Sequence, residues 1–166
     1  WGGRNAGRGL GKGRGLVWGV DGKRAGRTVG GFDRVLDGAG AMRCKLCGLL
    51  PIIHPAGPDI TRSAAGRFAA EPIWLPSLLC GRDVSWSADD PAVAHARFAG
   101  AGRAADLALT LSRGSLQSVA LPRWGNHDGG RFREIDFGAV IEQEATFGGY
   151  TIPVRRLVGC YFGTDR

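Results

Sequence analysis

The chain has 166 residues, of which 43% are hydrophobic, and a formal net charge of +7. That size and apolar content fit one domain with a real core. No apolar run reaches the roughly 18 residues that a membrane-crossing helix needs, so the chain is expected not to be transmembrane. The charge is local: residues 1–34 carry eight Lys/Arg against Asp21 and Asp33, and the other 132 residues are nearly neutral.

In chain order, residues 1–15, WGGRNAGRGLGKGRG, read as a flexible basic leader, because glycine this dense loses much backbone entropy on ordering. A basic arm can bind nucleic acid or anionic lipid electrostatically. Disorder is the plainer reading, and no specific nucleic-acid partner is expected. The leader lacks the apolar region of a signal peptide, so cytoplasmic localisation is the default. The chain begins at Trp1, which leaves room for upstream sequence. Cys44, Cys47, Cys80 and Cys160 are too scattered for a disulfide framework, which points to a reducing compartment.

Residues 16–166 are expected to form a single domain. LVWGV and RTVGGFDRVLD have the β-branched and aromatic content of strands. Alternation from Ala41 to Leu50 predicts another, ended by Pro51 and Pro55. Asp59 can then cap a helix, with Ile60, Ala64 and Phe68 along one face. Pro72 interrupts that helix, because it lacks an N–H and clashes with the turn before it. The apolar elbow IWLPSLL follows. Beyond it the spacing predicts an antiparallel meander: 82–88, 92–98, 105–111, 116–121, 137–147 and 150–162, with Gly148-Gly149 as a tight hairpin turn.

Candidate chemistry is sparse. Cys44 and Cys47 have half of a zinc spacing, but no second pair exists, and small apolar packing explains them better. Serines at 63, 77 and 115 sit in no nucleophile elbow. Among His54, His95 and His127, only His127 has a carboxylate beside it in sequence, Asp128. Glu142 and Glu144 read as a solvated face pairing with Arg155 and Arg156. The leader's glycines follow no strand and match no phosphate loop. No cofactor and no metal are expected.

The segments GLLPIIHPAGPDITRSAAGRFAAEPIWLPSLL, VSWSADDPAVAHARF and DFGAVIEQEATFGGYTIPVRRLVGCYFGTDR resemble an uncharacterised bacterial family of unknown function, over about nine-tenths of the chain. That family is similar in architecture to lipoprotein carriers of the LolA type. The resemblance implies a strongly curved antiparallel half-barrel whose concave face holds acyl chains beneath a helical lid. Members of the family continue past the position of Arg166 with another strand, have an earlier strand before Trp18, and commonly carry tryptophan where Cys160 stands. This implies a fragment that self-associates through an unpaired sheet edge.

The expected fold is therefore α+β, a curved antiparallel sheet of seven to nine strands with the 59–79 helical segment on its concave face. The expected role is non-enzymatic binding of a hydrophobic small molecule or lipid. Trp74, Leu75, Leu78 and Leu79 would form a lid, and Trp86, Phe98, Leu107, Leu109 and Phe147 the walls. The alternative is a small serine-type ester hydrolase, with Ser77 or Ser115 as nucleophile and His95 or His127 as base.

Overall fold

The computed structural model describes residues 3–8, 15–24, 27–36, 39–46, 50–53, 57–100, 103–126 and 129–164. Side chains are described at 31, 34, 39–41, 57–88, 90–99, 103–126 and 129–164. The chain divides into two compact units, Trp1–Phe68 and Ala69–Arg166, so the span 16–166 contributes to both.

The first unit is a five-stranded antiparallel meander of β1 (Gly3–Arg8), β2 (Gly15–Arg24), β3 (Arg27–Leu36), β4 (Ala39–Leu46) and β5 (Leu50–Ile53). Six residues of the expected flexible leader are thus a strand, with Gly7 opposite Trp18. A main-chain ladder asks nothing of side chains, so a Gly-rich segment can satisfy the pairing groups of an edge. The helix α1 (Pro58–Ala69) follows. Gly57 turns the chain at φ +123°, and its carbonyl accepts the Thr61 N–H at 3.0 Å. Pro58 fills the first helical position, where a missing N–H costs nothing. Asp59, expected as the cap, instead lies in the first turn, where the helix dipole favours an acidic residue. The Gly40 N–H donates to the Thr61 hydroxyl at 3.2 Å. A Cβ on Gly40 would lie 2.6 Å from Thr61 Cα, so only glycine lets α1 come this close to β4.

The second unit opens with two 3-10 turns, Glu71–Trp74 and Pro76–Leu78, which together form the expected apolar elbow. Pro76 as well as Pro72 divides this stretch. Then come β6 (Ser85–Asp90), β7 (Val93–Gly100), β8 (Arg103–Ser112), β9 (Ser115–Gly125), β10 (Arg133–Phe147) and β11 (Tyr150–Cys160). They form one antiparallel sheet in the order β11-β10-β9-β8-β7-β6. The α+β class holds. The sheet is open and only modestly curved, with six strands where seven to nine were expected in a half-barrel. The remaining strands belong to the separate five-stranded sheet.

Alternation sorts the six strands into two faces. On the inner face Ala96 stands opposite Leu107, Leu109 opposite Val119, Val119 opposite Ala139, and Leu121 opposite Phe137. These residues, with Ala69, Ala70, Ile73 and Leu79 from the incoming chain, make the core. Arg123 extends the same row and is buried, its guanidinium carbon 4.9 Å from the Phe137 ring centroid. On the outer face the chain end folds back over β10. The Phe162 N–H donates to the Asp136 carbonyl at 3.2 Å, and the Phe162 ring sits on Gly138. Among the described residues no helix is long and apolar enough to cross a membrane.

Candidate functional site

Two proline-led turns build the elbow. Each proline sits at the start of its turn, where its fixed φ is pre-set for the helical conformation. The Leu75 N–H donates to the Pro72 carbonyl at 3.0 Å, and the Leu79 N–H to the Pro76 carbonyl at 2.9 Å. Between the turns Leu75 is non-helical, at φ −132° and ψ 69°, which re-aims the second turn.

This geometry divides the elbow's apolar side chains. Ile73 and Leu79 point into the core, with Leu79 9% exposed. Leu75 is 51% exposed and Leu78 36% exposed. Trp86, on β6, is 50% exposed, and its indole N–H donates to the Leu79 carbonyl at 3.3 Å. That bond sets Trp86 against the second turn. Trp74 is half-buried; its N–H donates to the Pro153 carbonyl of β11 at 3.0 Å. The Arg156 guanidinium lies 3.9 Å over its ring, a cation–π contact.

Of the expected walls, Leu107 and Leu109 are core residues in the same cluster as Ile73 and Leu79 of the elbow, and Phe98, half-buried on β7, packs against that cluster. Phe147 is elsewhere: it is exposed beside the β10–β11 hairpin turn, opposite Tyr150. The structure therefore leaves Leu75, Leu78 and Trp86 exposed along the elbow, with Trp86 bonded to the Leu79 carbonyl, and places Leu79, Leu107 and Leu109 in the core.

The outer face carries the one described histidine with a carboxylate partner. His95 Nδ1 lies 2.9 Å from Asp106 Oδ1, and Arg97 Nε donates to Asp106 Oδ2 at 2.8 Å. Burial pushes the Asp106 pKa up, but hydrogen bonds from Arg97 and His95, together with their charges, outweigh it and hold the carboxyl below its ordinary 3.8. Across β6, the residue opposite His95 is Ser87. Its hydroxyl is shielded from solvent. Sequence reading passed over Ser87 and Asp106, because only cross-strand register joins them to His95.

Neither serine expected as a nucleophile stands by that histidine in register. Ser115 pairs with Ser112 at the β8–β9 turn, while His95 pairs with Ala108. Four residues of strand separate the two positions, roughly 13 Å along β8 alone. Ser77 is exposed on the second turn of the elbow. His54, Cys47, His127 and Asp128 lie outside the described residues. The expected pairing of Glu142 with Arg155 is present, Nε to Oε2 at 3.0 Å. Among the described residues no group of three or more His, Cys, Asp or Glu could hold a metal ion.

The model of a family of unknown function (DUF6544) matches residues 10–165, and the chain belongs to that family. No curated protein and no solved structure matches it.

Proposed function

We propose that this DUF6544 chain is a non-enzymatic module that binds an acyl chain or a similar apolar ligand on the rim of the elbow. One observation carries the reading: Leu75, Leu78 and Trp86 stay exposed at a site whose backbone is firmly held. The interior below is closed, since Leu107 and Val119 are fully buried. The ligand would therefore lie across the elbow rather than inside the sheet, unlike the enclosed acyl site that a half-barrel carrier implies. Covering each half-exposed leucine contributes about 1 kcal/mol, so a chain touching both and the Trp86 face binds with modest affinity.

Trp86 is also the reporter. Titration with laurate below its micellar concentration should blue-shift the tryptophan emission and raise the melting temperature. Trp86→Phe should remove most of the shift, and Leu75→Asp with Leu78→Asp should abolish binding without lowering the melting temperature of the free protein. Unchanged emission and melting temperature across the titration would reject the reading.

The His95–Asp106 pair favours a second reading, ester hydrolysis. Asp106 holds the His95 proton on Nδ1, which leaves Nε2 as an acceptor. The serine across the strand from it is Ser87, in place of Ser77 or Ser115, and attack would require its shielded hydroxyl to turn outward. Hydrolysis of p-nitrophenyl butyrate that is lost in both His95→Ala and Ser87→Ala, and kept in Ser77→Ala and Ser115→Ala, would establish it. Activity that survives His95→Ala would exclude it.

A further inference from the structure

The β10–β11 hairpin runs past the neighbour that β10 has in the sheet. β9 pairs with β10 only as far as Val140, opposite Ser118, although β9 itself begins at Ser115. The register of β10 on β11 shifts between Ile141 and Gln143 and again between Gln143 and Glu144. Such a bulge bends its strand and disrupts the ladder beside it. Residues 143–147 and 150–155 therefore continue as a two-stranded arm, with no strand on the β10 side among the described residues. Two strands alone are marginal, and this arm is tied down. The Pro153 carbonyl takes the Trp74 N–H, Arg155 holds Glu142, and the Thr146 and Thr151 hydroxyls meet at 2.9 Å. Gly148 and Gly149, at φ +57° and +85°, close it in a tight turn of the kind that matches strand twist.

The end of the arm is uncharged and aromatic. From Ala145 to Val154 no residue carries a charge. Phe147 and Tyr150 face each other across the last pair of the ladder, each 58% exposed and about 10 Å beyond Pro153. We propose that this tip is a membrane-contact site, which sets Phe147 and Tyr150 into the headgroup region of a lipid bilayer. A turn tip with two exposed rings and no charge suits a broad, neutral surface that takes apolar rings beneath polar headgroups. A protein partner would have to offer a fitted pocket, and the tip presents no charge to select one. Tyr150 keeps its hydroxyl among the headgroups while its ring is covered. The free side of β10 limits the depth, because unpaired N–H and C=O groups are costly in hydrocarbon. The rings enter and the arm does not, so the contact is peripheral. None of Leu75, Leu78 or Trp86 takes part, so the tip and the elbow's ligand site can be tested separately.

Co-sedimentation of the 166-residue chain with sucrose-loaded phosphatidylcholine vesicles tests it. Neutral lipid is the probe because the net charge of +7 would by itself draw the chain to anionic vesicles. The wild type should pellet with the vesicles, and equally well in high salt, where charge is screened. Phe147→Ser with Tyr150→Ser should weaken partitioning at least about tenfold. Phe147→Trp, which supplies a ring favoured at the membrane interface, should keep or strengthen it. Neither change should move the melting temperature, since both side chains are exposed. Leu75→Asp with Leu78→Asp should pellet like the wild type. A wild type that stays in the supernatant overturns the proposal. So does a Phe147→Ser, Tyr150→Ser chain that pellets like the wild type, which would move the contact elsewhere. If vesicles bind nothing and the same double variant removes a concentration-dependent self-association, the tip docks a second copy and the proposal falls.

Discussion

On the inner face of the six-stranded sheet, Leu107, Val119 and Phe137 stand in apolar rows from strand to strand. The outer face of the same strands carries His95, Arg97 and Asp106 on β7 and β8, and a bare Gly138 on β10. One backbone serves both, so what differs is how each face is held. Inside, stability scales with apolar area removed from water and is spread over many contacts. Outside, it rests on a few directed interactions and one close approach. The contrast predicts that a truncation inside costs several times more than the loss of a polar partner outside.

The largest effect should come from Leu107→Ala. Leu107 is wholly buried, and deleting its side chain leaves a cavity among packed neighbours, at about 2–5 kcal/mol. Urea unfolding with unchanged slope would read it directly; a cost no greater than that of an outer-face change would break the comparison. Gly138→Ala is the outer face's strongest test. Its Cβ would lie 2.5 Å from both Phe162 Cγ and the Val119 carbonyl oxygen. The ring can move, but that oxygen belongs to the β9 ladder. We expect a loss of about 1–3 kcal/mol, of which Phe162→Ala in the same chain restores only part. Full restoration would mean that the ring alone sets the constraint.

Much of the inner face was legible in the sequence, because alternation in 105–111 places Leu107 and Leu109 on one side whatever the partner strand is. The interruption of the helix before Pro72 was legible for a similarly local reason, since proline acts on its own turn. The outer face was not. His95 meets Asp106, and Ser87 faces His95, only through pairing register, which no local pattern encodes. The division of the strands into two sheets is equally non-local. The elbow was half legible: its apolar character was plain, but a run such as IWLPSLL does not say which leucines turn inward. The non-helical Leu75 decides that, by sending Leu79 to the core and leaving Leu78 at the rim.

Trp74 sits at the margin of the inner face, where area and directed contacts both act. Trp74→Phe keeps an aromatic ring but removes the N–H bonded to the Pro153 carbonyl and reduces the π surface beneath Arg156. About 1–2 kcal/mol is expected, between the two extremes. Trp74→Leu should cost more, because it also removes ring area, and equal costs would show that the hydrogen bond dominates.

The smallest effect should be that of Asp106→Asn, and its signature is its pH dependence. Asp106 titrates below 3.8 in the folded chain, since the bonds and charges of Arg97 and His95 outweigh the opposing effect of burial. A folded value lower than the unfolded one means that the contribution is complete above 3.8 and fades as pH falls through the folded value. The carboxylate is more than a third exposed, so solvent screens the interaction and the loss at neutral pH should stay under about 1 kcal/mol. Melting temperatures of the wild type and Asp106→Asn should thus differ slightly at neutral pH, differ less in high salt, and converge once both chains are taken well below pH 3.8. A gap that persists in acid would mean that Asp106 acts by shape and neutral hydrogen bonding, and the outer face would then owe less to charge than its residues imply.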